Sequence, residues 1–238
     1  VSVKHNTKYP FRMQVQYVNR PNLNFRGYCG TISGGDIRVG DTISVLPSGK
    51  QSKIKSIVTF DGELQNASVG MAVTLTLEDE IDISRGNMLV RPHEVPFSTS
   101  DFIADVVWMS EQTLNVDREY EVKVGSQSVF GFVKAVNHKV DVNTLMTLPT
   151  SQLDLNEIGH CSFSLTEPVQ FDAYENNRLT GAFIIIDRLT NVTVGAGMIR
   201  KPLDGKKATV FPDNAAFEIE FNALIRKHYP HWGAKKIT

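Results

Sequence analysis

Side chains that could act as acids, bases, nucleophiles or metal ligands are sparse in this chain of 238 residues. Of its six histidines, only His228 and His231 lie about one helical turn apart, a spacing that could place both on one metal ion. Pro230 stands between them, and no cysteine or carboxylate lies near to complete a ligand set. We therefore interpret the two histidines as an exposed or partner-contacting pair.

Two other groupings also fail as reactive sites. His160 and Cys161 are adjacent, but neighbours in a strand point to opposite faces, so they cannot form a thiolate–imidazole pair. The acidic run Glu78–Glu80 is interpreted as a solvated turn. The two cysteines, Cys29 and Cys161, are too few and too distant in sequence for a disulfide framework or a zinc site. We expect both to be reduced, partly buried thiols of a cytosolic protein.

Nucleotide-binding motifs are absent. A phosphate-binding loop needs a Gly-Lys pair followed by Ser or Thr, whereas the two Gly-Lys pairs continue into Gln or Lys, at Gly49–Gln51 and Gly205–Lys207. The stretch Asn137–Asp141 resembles the guanine-reading Asn-Lys-x-Asp, but an inserted histidine changes the spacing. We predict that this chain alone binds no GTP and is catalytically inactive.

The composition is that of a soluble globular protein, with 41% hydrophobic and 21% charged residues. The formal net charge is −1, so no overall field attracts the chain to nucleic acid or to an anionic membrane. No apolar run approaches the roughly 20 residues of a membrane span. The first ten residues contain neither an initiator methionine nor the apolar segment of a signal peptide. We expect the chain to start inside a longer gene product.

A period of two dominates the sequence and predicts many short strands. The apolar residues that alternate with polar ones are Phe11, Met13, Val15 and Tyr17; Val73, Leu75 and Leu77; Tyr120, Val122 and Val124; and Cys161, Phe163 and Leu165. The run Phe183–Ile186 is apolar throughout, which suits a strand covered on both faces. Turn signals separate the strands, and Phe60 and Asp61 occupy one such turn. Phe60 has two open interpretations, a role in the core or hairpin and a contact with a partner.

Three parts are predicted, all-β apart from one helix. Pro92 and Pro96 mark a linker, so residues 1–91 form one antiparallel barrel with an N-terminal lead-in, and residues 92–202 form a second. Residues 203–238 form an extension with an amphipathic helix over Asp213–His228. The helix has Asp213 as its N-cap, and Pro230 stops it. Its predicted apolar face comprises Phe217, Phe221, Leu224, Ile225 and His228.

Several segments carry a family resemblance. The first barrel resembles domain II of the elongation factor Tu family through FRGYCGTISGGDIRVGDTISVLPSGK, KSIVTFDG and DISRGNMLVRP, and the second resembles domain III through NVTVGAGMI. Three further segments resemble the GTPase subunit of bacterial sulfate adenylyltransferase: PFRMQVQYVNRPNLNFRGYCGTI, LPSGKQSKIKSIVTFDGEL and the tail AFEIEFNALIRKHYPHWGAKK. The nucleotide-binding G domain of that family has no counterpart here, which suggests a fragment that begins just after it.

The resemblance implies a function by coupling rather than by catalysis. In that family, a catalytic subunit 2 joins ATP and sulfate into adenosine 5′-phosphosulfate during sulfate assimilation, and GTP hydrolysis by subunit 1 drives the reaction. GTP and Mg²⁺ would belong to the missing G domain, and this chain would hold no cofactor or metal. The expected partners are that G domain and the catalytic subunit, in the cytoplasm, with no nucleic acid and no membrane.

No catalytic residue is expected, and the candidate interface residues are Arg20, Phe25, Arg26, Phe60, Asp61, Tyr229 and Trp232. An alternative interpretation is a fragment of a translation-type GTPase that binds structured RNA on its barrels. RNA binding would favour a stripe of Lys and Arg, whereas the basic residues here are dispersed among acidic ones. A third interpretation is a protein-interaction module unrelated to either family.

Overall fold

The structure is a computed structural model that describes residues 9–22, 25–205, 207–208, 215–229 and 231, with the backbone alone for 215–220. The regular secondary structure of the described part is antiparallel strand, apart from two short helices. The predicted all-β class is therefore confirmed.

The first barrel is a closed ring of six antiparallel strands. Its region contains β1 (Arg12–Gln14), β2 (Tyr17–Asn22), β3 (Phe25–Gly34), β4 (Asp36–Arg38), β5 (Thr42–Leu46), β6 (Gln51–Thr59), β7 (Gly62–Leu64), β8 (Asn66–Ser68), β9 (Ala72–Leu77) and β10 (Met88–Val90). The ring runs β1-β10-β5-β6-β9-β3 and closes where β3 pairs with β1. Outside the ring, β2 pairs with β3, β7 with β6, and β4 with β8.

The second barrel is also a six-stranded closed ring. Its elements are β11 (Phe97–Trp108), β12 (Glu119–Val124), β13 (Gln127–Val140), β14 (Thr147–Leu148), β15 (Ile158–Phe171), α1 (Arg178–Gly181), β16 (Ala182–Asp187) and β17 (Thr193–Pro202). The ring runs β12-β16-β17-β11-β15-β13 and closes from β13 to β12, while β14 extends β13. The predicted division at residues 91 and 202 stays a prediction.

The alternating residues form the two cores with one exception. Phe11, Met13 and Val15 are fully buried, but Tyr17 is 62% exposed, so its predicted core position is wrong. The alternation breaks because β1 ends at Gln14 and the chain then leaves the ring. Tyr17 begins β2 and lies opposite Cys29. Among the described strands, β2 pairs with β3 alone, whereas β1 pairs with both β3 and β10.

The second barrel confirms the alternation along β12 and β15, whose apolar residues belong to a core centred on Trp108, Phe102 and Phe163. The run Phe183–Ile186 differs from expectation. Phe183 and Ile185 are buried, whereas Ile184 and Ile186 face outward and stay half-exposed. The strand is one wall of a closed barrel, so only its inner face is fully covered.

A buried ion pair joins the two barrels. Arg12 on β1 is 2% exposed and binds Asp172 of the second barrel through two parallel contacts, Nε to Oδ2 at 2.9 Å and Nη2 to Oδ1 at 3.0 Å. Thr180 donates a further hydrogen bond to Asp172 Oδ2 at 2.9 Å. A bidentate, partly desolvated pair of this kind fixes both distance and orientation. We call this cluster of Arg12, Asp172 and Thr180 the interbarrel clamp.

Further contacts reinforce this junction. The amide of Ser126 donates to Gln14 Oε1 at 3.1 Å, and Asn177 Nδ2 donates to Ser33 O at 3.0 Å. Gly125 has a φ of +59°, and a Cβ there would lie only 1.6 Å from Gln14 Oε1. The backbone conformation therefore favours glycine at this position, and any larger residue would displace the Gln14 amide from its contact with Ser126.

The C-terminal helix α2 spans Ala215–His228, close to the predicted bounds, while the proposed cap Asp213 lies outside the described residues. Phe221 and Leu224 are each 53% exposed, so the predicted apolar face is not buried at these positions. Before the helix, Ala208 packs with Leu46 of the first barrel. The chain therefore returns to the first barrel after completing the second.

Candidate functional site

The β6–β7 turn is the most exposed of the predicted interface features. Phe60 and Asp61 occupy this turn, and Phe60 is fully exposed (104%), so a core role for it is excluded. Thr59 Oγ1 donates to Gly62 O at 2.9 Å and stabilises the turn beneath it. The aromatic ring of Phe60 is therefore fully available for a contact with a partner.

A shallow groove of about 360 Å³ lies beside Phe60. Its lining comprises Gln16, Cys29, Gly30, Val58, Thr59, Phe60, Ala72, Val73 and Thr74. Strand pairing brings these positions together, since Cys29 on β3 faces Thr74 on β9, which faces Val58 on β6. Exposed Tyr17 pairs with Cys29 on the other side, so a second aromatic side chain extends the same surface.

Phe25 and Arg26 line a different groove, of about 290 Å³, together with Lys55 and Glu63. The structure therefore places them on the same sheet as Phe60 but not in the same site. Arg26 Nη2 lies 3.6 Å from Asp82 Oδ1, and its buried Nε has no hydrogen-bond partner among the described residues. This single ionic contact leaves most of the N–H donors of the guanidinium unused by the residues that the structure describes.

Tyr28 lies behind Arg26. The Arg26 guanidinium carbon is 5.8 Å from the centroid of the Tyr28 ring. Burial raises the pKa of the Tyr28 hydroxyl, which donates to Ile81 O at 3.2 Å. The phenol therefore remains neutral and acts as a structural support for Arg26 rather than as an acid or base.

The remaining predicted residues are dispersed. Arg20 is exposed on β2. Tyr229 follows α2 and is 44% exposed, with its ring centroid 6.2 Å from that of His231. Trp232 lies outside the described residues. The six described candidates thus fall on at least three separate parts of the surface, which sequence spacing alone could not show.

Cys161 and His160, which were rejected from the sequence as a reactive pair, have no arrangement in the structure that would support catalysis. Cys161 is fully buried, and desolvation raises the pKa of its thiol to about 12, so no reactive thiolate forms. His160 points outward, as predicted, and its Nδ1 lies 2.7 Å from Asp105 Oδ1. Within the part of the chain that the structure describes, no group of three His, Cys, Asp or Glu side chains could hold a metal ion.

One apolar surface was missed by the sequence interpretation. The loop between β13 and β14 exposes Val142 (59%), Leu145 (78%) and Met146 (64%). The loop is ordered, because the Asp141 carboxylate accepts the amides of residues 143 and 144, which lowers the pKa of that carboxyl. The Asp-x-Asn-Thr pattern of a capped turn was the available signal.

A second apolar surface covers the outside of the second barrel. A groove of about 590 Å³ is lined by the outward residues of several strands, including Val107, Ile184 and Met198. Leu179 of α1, 60% exposed, borders it. The sequence signal for this surface was the continuous apolar run Phe183–Ile186, which predicted a strand covered on both faces. In the structure the outward-facing Ile184 stays half-exposed and lines the groove.

No helix in the described ranges is long and apolar enough to cross a membrane.

Comparisons with known proteins agree with this architecture. Residues 101–200 match the family described as GTP-eEF1A C-terminal domain-like. A structure of sup35 complexed with GDP superposes with a TM-score of 0.76 at 19% identity and covers 83% of this chain and 48% of that one. The apo structure of translation elongation factor SelB from Methanococcus maripaludis gives a TM-score of 0.69 at 20% identity, over 86% of this chain and 46% of that one.

The fold is therefore the tandem β-barrel arrangement that translation-type factors share. Sequence identity is more specific: the chain is 68% identical over all 238 residues to sulfate adenylyltransferase subunit 1 of Shewanella woodyi, of which it covers 50%. The predicted resemblance to this family is confirmed over the whole chain. The chain spans about half the length of the curated relatives it matches.

Proposed function

We propose that this chain is the β-barrel portion of a GTP-dependent sulfate adenylyltransferase subunit 1. In this proposal, a nucleotide-binding domain elsewhere in the longer protein holds GTP and Mg²⁺, and a catalytic subunit 2 forms adenosine 5′-phosphosulfate from ATP and sulfate in the cytoplasm. The barrels hold neither cofactor nor catalytic residue. The observation that carries the proposal is the 68% identity over the entire chain.

The interbarrel clamp supports a role in transmission. A change in a nucleotide-binding domain can reach a distant partner through an element that moves as one body. Arg12 and Asp172 join the two barrels by a bidentate ion pair whose Arg12 side chain is 3% exposed. Two barrels held in this way rotate together instead of absorbing the motion in a flexible linker.

The β6–β7 turn is the proposed contact with the catalytic subunit. Phe60 offers a full aromatic surface to a partner, and residues with such properties dominate binding energy at interfaces. Asp61 next to it is also exposed and would set the orientation of the contact. Arg20, Phe25, Arg26, Tyr229 and Trp232 stay as proposed secondary contacts.

The experiment is a binding titration of the chain against the catalytic subunit, by calorimetry or analytical ultracentrifugation. We expect a saturable complex in the absence of GTP. Absence of association, together with tight binding of structured RNA at physiological salt, would instead favour the translation-factor interpretation.

A matched pair of variants localises the contact. Phe60→Ala should weaken the complex by more than about tenfold, since loss of a central aromatic contact costs about 2 kcal/mol or more. Leu189→Ala removes an equally exposed apolar side chain (84%) from the second barrel and should leave the affinity unchanged. Equal effects of the two substitutions would place the contact elsewhere.

A further inference from the structure

Two cationic side chains from different barrels line one cleft at the barrel junction. Arg85 comes from the loop before β10 of the first barrel, and Lys123 comes from β12 of the second. Two adjoining cavities, of about 560 and 400 Å³, are both lined by Arg85, Lys123 and Ser126. These three residues therefore lie where the two cavities meet. We call the two adjoining cavities together the interbarrel cleft.

The width of this cleft is fixed by direct contacts between its walls. Ser126 donates its amide to Gln14 Oε1 at 3.1 Å and its hydroxyl to Val15 O at 3.1 Å. Gly125 lies directly against the Gln14 side chain, since a Cβ at this position would meet the Gln14 amide. The positions of both cations are thus set by the fold.

The charges of the cleft lack a counterpart. Arg85 Nη1 donates to Gln16 O at 3.0 Å, a neutral acceptor that leaves its charge uncompensated. The Lys123 ammonium makes no hydrogen bond or ion pair with any residue that the structure describes. The larger cavity has no carboxylate in its lining, and Glu167 is the one carboxylate that lines the smaller cavity. Two like charges that line one cleft repel each other, and an anion bound between them would offset this repulsion by attracting both.

A buried amide adds an independent observation. Gln170 lines the smaller cavity, is 1% exposed, and has no partner for its Oε1 among the described residues. Its Nε2 contacts Ser98 Oγ at 3.3 Å, and a hydroxyl can donate as well as accept, so either end of the amide can bind Ser98. If Oε1 accepts from Ser98, the Nε2 group takes the unpartnered position and can donate to a ligand. Buried polar groups are normally hydrogen-bonded, so this one indicates a missing partner.

We propose that the interbarrel cleft binds a tetrahedral oxyanion, phosphate or sulfate, between Arg85 and Lys123. The Arg85 guanidinium offers N–H donors from one wall, and the Lys123 ammonium offers three from the other. Oxygens that point in different directions can bind both walls at once. The bound anion offsets the repulsion between the two cations across the junction.

The test is calorimetric titration of the 238-residue chain with inorganic phosphate and with sulfate, at ionic strength held constant by sodium chloride. We expect saturable binding in the millimolar range or tighter. A phosphomonoester is titrated in parallel. Tighter binding of the ester than of inorganic phosphate assigns the site to the phosphate group of a larger molecule, and weaker binding assigns it to the free anion. Both results uphold an oxyanion site, whereas no saturable binding of any of the three overturns it.

Variants on the surface of the cleft separate a specific site from general charge. Arg85→Gln and Lys123→Gln should each weaken binding by at least about tenfold, because each removes a charge-assisted hydrogen bond. Glu167→Gln should strengthen binding, since it removes the one lining carboxylate. Arg38→Gln removes an exposed charge outside the cleft and should have no effect. An equal loss in Arg38→Gln and Arg85→Gln would show that net charge alone attracts the anion and would refute the site.

Discussion

The substitution Asp172→Ala tests whether the clamp holds the barrels as one body. It removes both carboxylate oxygens that accept from the Arg12 guanidinium, whose side chain is 3% exposed. The backbone carbonyls of Phe11 and Glu94 still accept from Nη1, but no anionic partner of the pair remains to balance the charge. Loss of one partner of a buried ion pair costs about 3–5 kcal/mol, and the lower end applies because Asp172 is 19% exposed. At about 2–4 °C for each kcal/mol in a chain of this size, the melting temperature should fall by about 6–12 °C.

The assay is thermal and urea unfolding, followed by circular dichroism and by tryptophan fluorescence. The chain has two tryptophans, so the measurement is made in a Trp232→Phe background. Trp108 then supplies the emission and reports on the core of the second barrel, whereas circular dichroism reports on both barrels. The wild-type chain should unfold in one transition by both probes. In Asp172→Ala the two probes should separate, because the barrels no longer unfold together.

The control is Asp36→Ala. Asp36 Oδ2 lies 3.7 Å from Arg91 and 3.9 Å from Arg38, and the three side chains are between 32% and 70% exposed. Exposed pairs of this kind contribute about 0–1 kcal/mol. If Asp172→Ala lowers stability no more than Asp36→Ala, or if its two probes still coincide, the reasoning about the clamp is wrong.

Three further predictions concern local features. Gly125→Ala should lower stability clearly more than Gly40→Ala, because both glycines have positive φ but a Cβ at Gly40 meets nothing within 4 Å; equal melting temperatures would contradict the close approach at the junction. Hydrogen bonds to the carboxylate lower the pKa of Asp141, so its stabilising effect is present above about pH 4 and is lost as pH falls through the folded-state pKa. Asp141→Asn should therefore show a weaker decline of unfolding free energy below pH 4 than the wild type, and a parallel decline would count against the turn. Cys161, with a pKa of about 12, should resist alkylation at pH 8 until the chain unfolds, whereas half-exposed Cys29 reacts first; mass spectrometry of the modified peptides gives the order, and the reverse order would refute it.

The sequence predicted the architecture because each strand carries its own signal. Alternation along β9, β12 and β15 depends only on residues two apart, and a closed barrel hides one face of every strand. The predicted core position of Tyr17 was wrong because the chain leaves the ring after Val15. The pairing of β2 with β3 determines where this happens, and local periodicity carries no record of it. The prediction that Ile184 is covered was wrong because a continuous apolar run does not specify which face of the strand the barrel covers.

The sequence predicted those parts of the candidate site that depend on neighbouring residues in the chain, and it did not predict the contacts between distant residues. The exposed position of Phe60 is signalled by the Asp-Gly turn that follows it. The clamp joins Arg12 to a residue 160 positions away, and the interbarrel cleft joins Arg85 to Lys123 across the junction of the two barrels. Such pairs have no sequence pattern, since they arise from the packing of two complete barrels. The separation of Phe25 and Arg26 from Phe60 has a different origin, the strand register within the first barrel, which local sequence does not record either.

The proposed function can be tested most directly by competition. The purified 238-residue chain, added in excess to a sulfate adenylyltransferase holoenzyme assay, should displace the complete subunit 1 from the catalytic subunit and suppress GTP-dependent formation of adenosine 5′-phosphosulfate. The Phe60→Ala chain should inhibit much less, and Leu189→Ala should inhibit as the wild type does. Undiminished GTP-dependent activity at a large excess of the wild-type chain would contradict its proposed role as the barrel portion that binds the catalytic subunit.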